Sequence, residues 1–118
     1  TYIDDVIETI SRCCYKPARN DEFFDKSNPS PATSFSPHRI FNVGNGNSVE
    51  LLNFIDLLEK EIGIKAIKNF MPIQPGDVKA TEADTSKIKN WIDFEPNKDL
   101  EEGVFLFINW YKEYFKLN

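Results

Sequence analysis

The sequence is poor in the residues that build metal centres and disulfide frameworks. Its 118 residues include two cysteines and one histidine, and these do not stand at the spacing of a structural zinc site. Cys13 and Cys14 are neighbours in a predicted helix, where adjacent side chains diverge by about 100° and do not reach disulfide geometry. We therefore expect both cysteines to be reduced and buried as small apolar side chains, and we expect no metal site.

Long hydrophobic runs and an excess of positive charge are also absent. No apolar stretch approaches the roughly 20 residues that cross a bilayer, and no charged segment followed by an apolar run marks a signal peptide. Nineteen acidic against fourteen basic residues give a net charge of -5, which repels a phosphate backbone. The sequence therefore predicts a cytoplasmic protein with no nucleic-acid partner and no membrane partner.

The composition and length of the chain are typical of one globular domain. The chain is 41% hydrophobic and 14% aromatic, enough for a packed core. A complete dinucleotide-dependent enzyme needs more residues than this. The sequence begins at Thr1 rather than at methionine, and we expect further polypeptide upstream.

The N-terminal third is predicted to be a helix followed by a long loop. The helix runs from about residue 4 to residue 15, with Asp4 or Asp5 as its cap. Periodicity disappears between residues 16 and 37, where four of the seven prolines fall, and loops of this length are uncommon in compact domains. The apolar residues of the helix recur at three- and four-residue spacing, which predicts one buried face: Ile3, Val6, Ile7, Ile10 and Cys14.

A strand, a turn and a second helix are predicted next. Arg39–Val43 is a short apolar run and Gly44–Asn47 supplies the tight turn. Either Asn47 or Ser48 caps the helix that follows, and Gly63 is placed to end it in a left-handed conformation. Its predicted buried stripe is Leu51, Ile55, Leu58 and Ile62.

The following segment is predicted to contain strands and a brief helix. Residues 64–73 are β-branched and favour a strand, and residues 79–83 favour a shorter one. Asp84 or Thr85 can cap a helix that runs through Trp91.

The last helix has the clearest signals. Asp99 and Glu102 have the spacing of a capping box. Three aromatic residues, Phe105, Phe107 and Trp110, widen its apolar side well beyond a normal stripe. The predicted buried face is Leu100, Val104, Ile108, Tyr111 and Phe115.

Catalytic motifs are missing from the chain. Short-chain reductases need a tyrosine and a lysine one helical turn apart, so that the cation lowers the pKa of the phenol, and the sequence has no Tyr-x-x-x-Lys. Gly44 and Gly46 resemble the start of a dinucleotide loop, but Val49 stands where the third glycine belongs, and an ordinary tight turn explains the pair. His38 is the single imidazole and has no triad partners.

One turn could contact a ligand. Gln74, Pro75, Gly76 and Asp77 combine a polar side chain, a rigid turn and an acid just after a predicted strand. Such a turn can present Gln74 and the Asp77 carboxylate to one ligand, with the carboxylate accepting from a ribose or sugar hydroxyl. Pro-Gly-Asp is also a frequent ordinary turn.

Five separated motifs together resemble a known family. In order and spacing they are similar to the C-terminal part of extended short-chain dehydrogenases/reductases, nearest to UDP-glucuronate 4-epimerases and related nucleotide-sugar epimerases. The resemblance spans nearly the whole chain. The motifs are residues 1–6 (TYIDDV), 41–45 (FNVGN), 71–78 (MPIQPGDV), 83–86 (ADTS) and 100–103 (LEEG).

This resemblance implies a fold and an activity. The fold is α/β, or α+β for this part alone, with about four helices and two or three short strands. Residues 1–118 form a substrate-binding part, while an N-terminal Rossmann domain outside this chain binds NAD and holds the catalytic tyrosine and lysine. The strand Arg39–Val43 belongs to the sheet of that domain. The implied reaction is oxidation of the sugar at C4, rotation of the 4-keto intermediate and return of the hydride to its other face.

The resemblance also implies ligands and partners. Gln74 and Asp77 help to hold the uridine diphosphate, although relatives often have arginine at the position of Gln74, and Asp93 stands where relatives usually have glycine. The substrate is a UDP-sugar, the intact enzyme is a homodimer, and this chain alone is inactive. With its strand edge and apolar surface uncovered, the chain alone is expected to self-associate.

Two alternatives stay open at this stage. A nucleotide-sugar dehydratase or decarboxylase would share this part, because the residues that distinguish the reactions lie upstream. From another class, the chain could be a helical interaction module whose aromatic last helix docks a partner.

Overall fold

The structure is a computed structural model that describes residues 1–78 and 80–117. Four helices account for its regular structure: α1 (Ile3–Tyr15), α2 (Leu51–Ile62), α3 (Ser86–Ile92) and α4 (Leu100–Phe115). Within the described residues there is no sheet, and the β-type pairing consists of one isolated antiparallel bridge between Thr33 and Arg39. The predicted α/β or α+β class is therefore wrong, and the chain is all-helical.

The predicted strands are irregular for a physical reason. Residues 40–43, 64–73 and 80–83 have no strand assignment, and Lys79, the first residue of the third predicted strand, lies outside the described residues. A β-strand is stabilised by hydrogen bonds and side-chain contacts to a neighbouring strand. Apolar runs without such a neighbour satisfy a strand pattern in sequence but cannot form a ladder.

The chain forms two compact units. The first joins residues 1–46 to 83–97 and contains α1 and α3; the second joins residues 47–82 to the segment from Lys98 onward and contains α2 and α4. In the first unit Ile88 and Ile92 of α3 are buried, as is Pro96.

Helix α1 packs with the side opposite to the predicted one. Asp5 and Thr9 are buried, and the Thr9 hydroxyl donates to the Asp5 carbonyl at 2.8 Å. Ile3, Ile7 and Ile10 are each more than half exposed, so the prediction that this face is buried is wrong.

The start of α1 and its cysteines also differ from expectation. The residue before α1 is Tyr2, which makes no side-chain capping bond, and Asp4 and Asp5 lie within the first turn, so neither is the cap. Their negative charges still interact favourably with the positive end of the helix dipole. Both thiols are free, but Cys14 is exposed and Cys13 half-buried, so neither is the buried apolar residue that was predicted.

Helix α2 begins later and is less buried than predicted. It starts at Leu51 after Glu50, without a side-chain cap, so Asn47 and Ser48 are not its caps. Leu51 and Ile62 are exposed, whereas Ile55 and Leu58 are half-buried. Gly63 ends the helix at φ 82° and donates to the Glu59 carbonyl at 2.9 Å, as predicted.

Helix α4 packs against α2 in the second unit. The predicted cap is confirmed, since the Asp99 carboxylate accepts from the Glu101 amide at 3.0 Å. Glu102 does not complete a capping box; it pairs with Lys98 at 2.8 Å. Val104 and Ile108 are buried, but the aromatic residues of the last two turns are exposed.

None of the helices in the described residues is long and apolar enough to span a membrane.

Candidate functional site

The segment from Gln74 to Asp77 forms a β-turn. The Asp77 amide donates to the Gln74 carbonyl at 3.1 Å, which closes the four-residue turn. Gly76 has φ 88°, the left-handed value that the third position of a type II turn requires, and Pro75 supplies the fixed φ of the second position. The sequence therefore dictates this turn locally, and it brings the two predicted binding residues to its ends.

Both predicted binding side chains are exposed on this turn. Gln74 and Asp77 are both exposed residues. The Asp77 carboxylate accepts from the Val78 amide at 3.0 Å through one oxygen, which orients the group while a carboxylate retains further acceptor capacity. Gln74 offers an amide with two donors and an acceptor. The turn can thus present donors and an anionic acceptor to a ligand with hydroxyls and polar edges.

A buried carboxylate anchors the segment that leads to this turn. Glu59, near the end of α2, is 5% exposed. It accepts from Lys65 and Lys68 at 2.7 Å each and from the Ala66 amide at 3.0 Å. These hydrogen bonds lower the pKa of Glu59 to about 2, with the lysine bonds as the largest causes, and the same contact raises the pKa of Lys68. Residues 64–68 are held against α2 by charge rather than by strand pairing.

The Gly44–Asn47 turn does not form a dinucleotide site. Residues 40–43, all of them described, form no strand before it, and α2 begins only at Leu51. The turn is therefore not joined to a helix N-terminus where backbone amides bind phosphate. Gly44 is buried, and an added Cβ would come within 3.2 Å of the Ala83 Cβ. The glycine is explained by close packing. The residues of this turn do not fit the pyrophosphate of NAD, and no cofactor step is assigned to them.

An open cleft of about 320 Å³ lies in the first unit between the ends of α1 and α3. Its cations are already engaged: Arg12 donates to the Asp93 carbonyl at 3.1 Å and Lys16 to the Trp91 carbonyl at 2.6 Å. The Trp91 indole donates back to the Lys16 carbonyl at 3.1 Å. Cations at the C-terminal end of a helix satisfy its free carbonyls, so these side chains fasten α1 to α3.

Sequence patterns did not reveal these two polar clusters. Glu59 lies six and nine residues before its two lysines, and Arg12 lies 81 residues before Asp93. Neither spacing is a helical i, i+4 pair, and only the folded chain brings the groups together.

Comparison with known proteins gives matches over nearly the whole chain. It is 40% identical over 116 residues to Protein CapI of Staphylococcus aureus, covering 98% of this chain and 35% of that protein. It is 36% identical over 120 residues to a probable UDP-glucuronate 4-epimerase of Rhizobium meliloti, covering 98% and 34%. It is 33% identical over 119 residues to UDP-glucuronate 4-epimerase 1 of Arabidopsis thaliana, covering 100% and 27%. No protein-family model matches the chain.

In these matches the chain aligns with one segment of a longer protein. The chain belongs to the family of the UDP-glucuronate 4-epimerases, which confirms the resemblance seen in the sequence. It spans about a third of the length of the curated relatives it matches.

Proposed function

We propose that this chain is the C-terminal, UDP-sugar-binding part of a nucleotide-sugar 4-epimerase acting on UDP-glucuronate. The observation that carries the proposal is the alignment of 98 to 100% of the chain with proteins named as UDP-glucuronate 4-epimerases. In this proposal the oxidation chemistry, and the NAD it needs, belong to polypeptide other than these 118 residues. The lack of a Tyr-x-x-x-Lys in the chain supports this assignment.

The role that we assign to the chain is to grip the nucleotide. In this proposal the Asp77 carboxylate accepts hydrogen bonds from a ribose hydroxyl, and the Gln74 amide donates to a polar edge of the uridine diphosphate. Support comes from the turn, which exposes both side chains and fixes the Asp77 carboxylate through the Val78 amide. A neutral amide does not offset the pyrophosphate charge, so cations elsewhere in the epimerase take that role.

The test uses a full-length chimera, in which this chain replaces the matching segment of the R. meliloti relative. Asp77→Ala is expected to raise the KM for UDP-glucuronate about tenfold with little change in kcat, because one hydrogen bond to a charged acceptor is worth roughly 1.5 kcal/mol or more. Glu82→Ala, which removes an exposed acid five residues away, is the matched control and should leave KM unchanged. Equal KM values in both variants would show that Asp77 does not bind the substrate.

A further inference from the structure

The turn from Gln74 to Asp77 stands at the end of an exposed stretch of chain. Residues 69–73 join it to the segment that Glu59 holds, and all five are exposed. We call these five residues the arm. Within the described part of the chain, no hydrogen bond or ion pair fastens the arm to another residue. On its N-terminal side the turn is therefore positioned by whatever fixes the base of the arm and by the stiffness of the arm itself.

Glu59 fixes the base of the arm. Its carboxylate is 3% exposed and accepts from Lys68, the residue before the arm, at 2.7 Å. It also accepts from the Ala66 amide at 3.0 Å, and the Lys68 amine lies 3.5 Å from the Asp56 carboxylate of α2. Breaking a buried, hydrogen-bonded ion pair leaves polar groups unpaired, so this contact is costly to lose. The chain therefore leaves α2 for the arm at a defined point.

Proline stiffens the arm. The ring of Pro72 fixes its own φ, and the steric clash with that ring confines Met71 to extended backbone. The backbone of residues 64–74, all of them described, runs without a turn or a sharp bend. An extended chain rises about 3.3 Å per residue, so the stretch from Lys68 to Gln74 spans up to roughly 20 Å.

From this geometry we infer, on the basis of the proposed function, that the Glu59–Lys68 pair and Pro72 position the turn for the nucleotide. The pair fixes the base of the arm, and Pro72 keeps the arm extended. Neither group contacts the nucleotide. A segment that becomes ordered only on binding lowers the affinity, whereas a segment already held in its bound conformation avoids that loss.

The stiffness of the arm is tested in the chimera by measuring KM and kcat for UDP-glucuronate together with Tm. Pro72→Gly loosens the arm at an exposed residue, and Pro29→Gly, at an exposed proline of the long loop, is the matched control. Both substitutions increase the freedom of the unfolded chain alike. We expect Pro72→Gly to raise KM at least threefold with little change in kcat, with a Tm equal to that of the control, and Pro29→Gly to leave KM unchanged.

The base of the arm is tested by a pair of lysine variants. Lys68→Met removes the cation next to the arm, while Lys65→Met removes a cation from the same Glu59 carboxylate and leaves Lys68 in place. In both variants Glu59 keeps one lysine and the Ala66 amide as partners, so the buried carboxylate is not left alone. We expect KM to be at least twofold higher in Lys68→Met than in Lys65→Met.

A double variant shows whether the effect passes through the turn. In the Asp77→Ala background, Pro72→Gly should raise KM less than twofold, because the contact that the arm positions has been removed. An equal rise in both backgrounds would overturn the inference. If Asp77→Ala raises KM but either Pro72→Gly or Lys68→Met matches its control, the turn binds nucleotide without a positioned arm, and the inference is overturned while the proposed function stands. If Asp77→Ala leaves KM unchanged, the proposed function itself fails, and the inference fails with it.

Discussion

The Arg12 guanidinium donates to the carbonyl of Asp93 at 3.1 Å, across 81 residues of sequence. Asp93 is the residue that ends α3, and it does so in the left-handed conformation at φ 50° and ψ 49°. The same guanidinium pairs with Glu8 at 2.6 Å and lies 4.7 Å from the centre of the Phe94 ring. One cation thus joins α1 to the end of α3, at a residue whose backbone conformation is unfavourable for a non-glycine side chain.

Replacing Asp93 by glycine should stabilise the protein. A non-glycine residue at positive φ is disfavoured, and a negative charge at a helix C-terminus opposes the dipole. Asp93→Gly keeps the carbonyl that Arg12 uses, so we expect the free energy of unfolding to rise by about 0.5 to 1 kcal/mol in urea titrations. Asp93→Val should lower it. A destabilised glycine variant would show that the Asp93 side chain contributes more than its backbone strain costs.

The Glu59 cluster should make stability depend on pH in the acid range. The folded-state pKa of Glu59 is lowered to about 2 from an ordinary 4.5, so its contribution is complete above about pH 4.5 and is lost as the pH falls towards 2. Glu59→Gln should flatten that part of the stability–pH curve.

Asp25 and Asp84 also have lowered pKa values, each held down first by the side-chain hydrogen bond of a serine two residues later. The comparison is therefore between Glu59→Gln and the unchanged chain at each pH, measured by urea unfolding between pH 2 and 6. Parallel curves would mean that Glu59 does not exchange a proton on unfolding in this range.

These two clusters show where sequence analysis succeeded and failed. Three local signals were correct: Asp99 caps α4, Gly63 ends α2, and Pro75 with Gly76 forms the predicted turn. The predicted caps of α1 and α2 were wrong, because both helices begin without a side-chain capping bond. The strand pattern of residues 64–73 was misleading because its apolar residues have no strand to pair with. Glu59 holds residues 64–68 instead, through contacts that no periodic pattern encodes.

The prediction of which face of α1 is buried failed for a related reason. The apolar residues of α1 have the correct helical spacing, but spacing does not tell which side of the helix is covered. In the first unit Asp5 and Thr9 are buried, and Arg12 and Lys16 bond to the end of α3. The resemblance found the family and a candidate turn, yet it carried over an α/β class that these residues do not adopt within the described part of the chain.

The aromatic end of α4 should cause the isolated chain to self-associate. Trp110 and Tyr114 stack with ring centroids 5.4 Å apart, and they are 52 and 66% exposed. Trp110→Lys removes part of this apolar surface and should reduce the concentration-dependent rise in light scattering. Asn109→Lys, at an exposed neighbouring position, adds the same charge and should reduce it less. Equal effects would attribute the change to charge alone.

A charged donor at position 74 should strengthen nucleotide binding if the turn faces the pyrophosphate. Gln74→Arg replaces a neutral donor, worth roughly 0.5 to 1.5 kcal/mol, by a charged one worth roughly 1.5 to 3. In the chimera we expect the Kd for UDP to fall about fivefold by calorimetry, with a steeper dependence on salt. Thr81→Arg, an exposed position beyond the turn, controls for added charge. An unchanged Kd in Gln74→Arg would mean that the side chain at position 74 does not face the phosphates.

A UDP-sugar-binding part of an epimerase should be able to replace its counterpart in a working epimerase. The R. meliloti relative carrying these 118 residues should convert UDP-glucuronate to its C4 epimer, followed by proton NMR of the sugar ring, and Asp77→Ala should raise KM without abolishing turnover. A chimera that is folded by circular dichroism, but neither turns over UDP-glucuronate nor binds UDP, would show that this chain is not the UDP-sugar-binding part of such an enzyme.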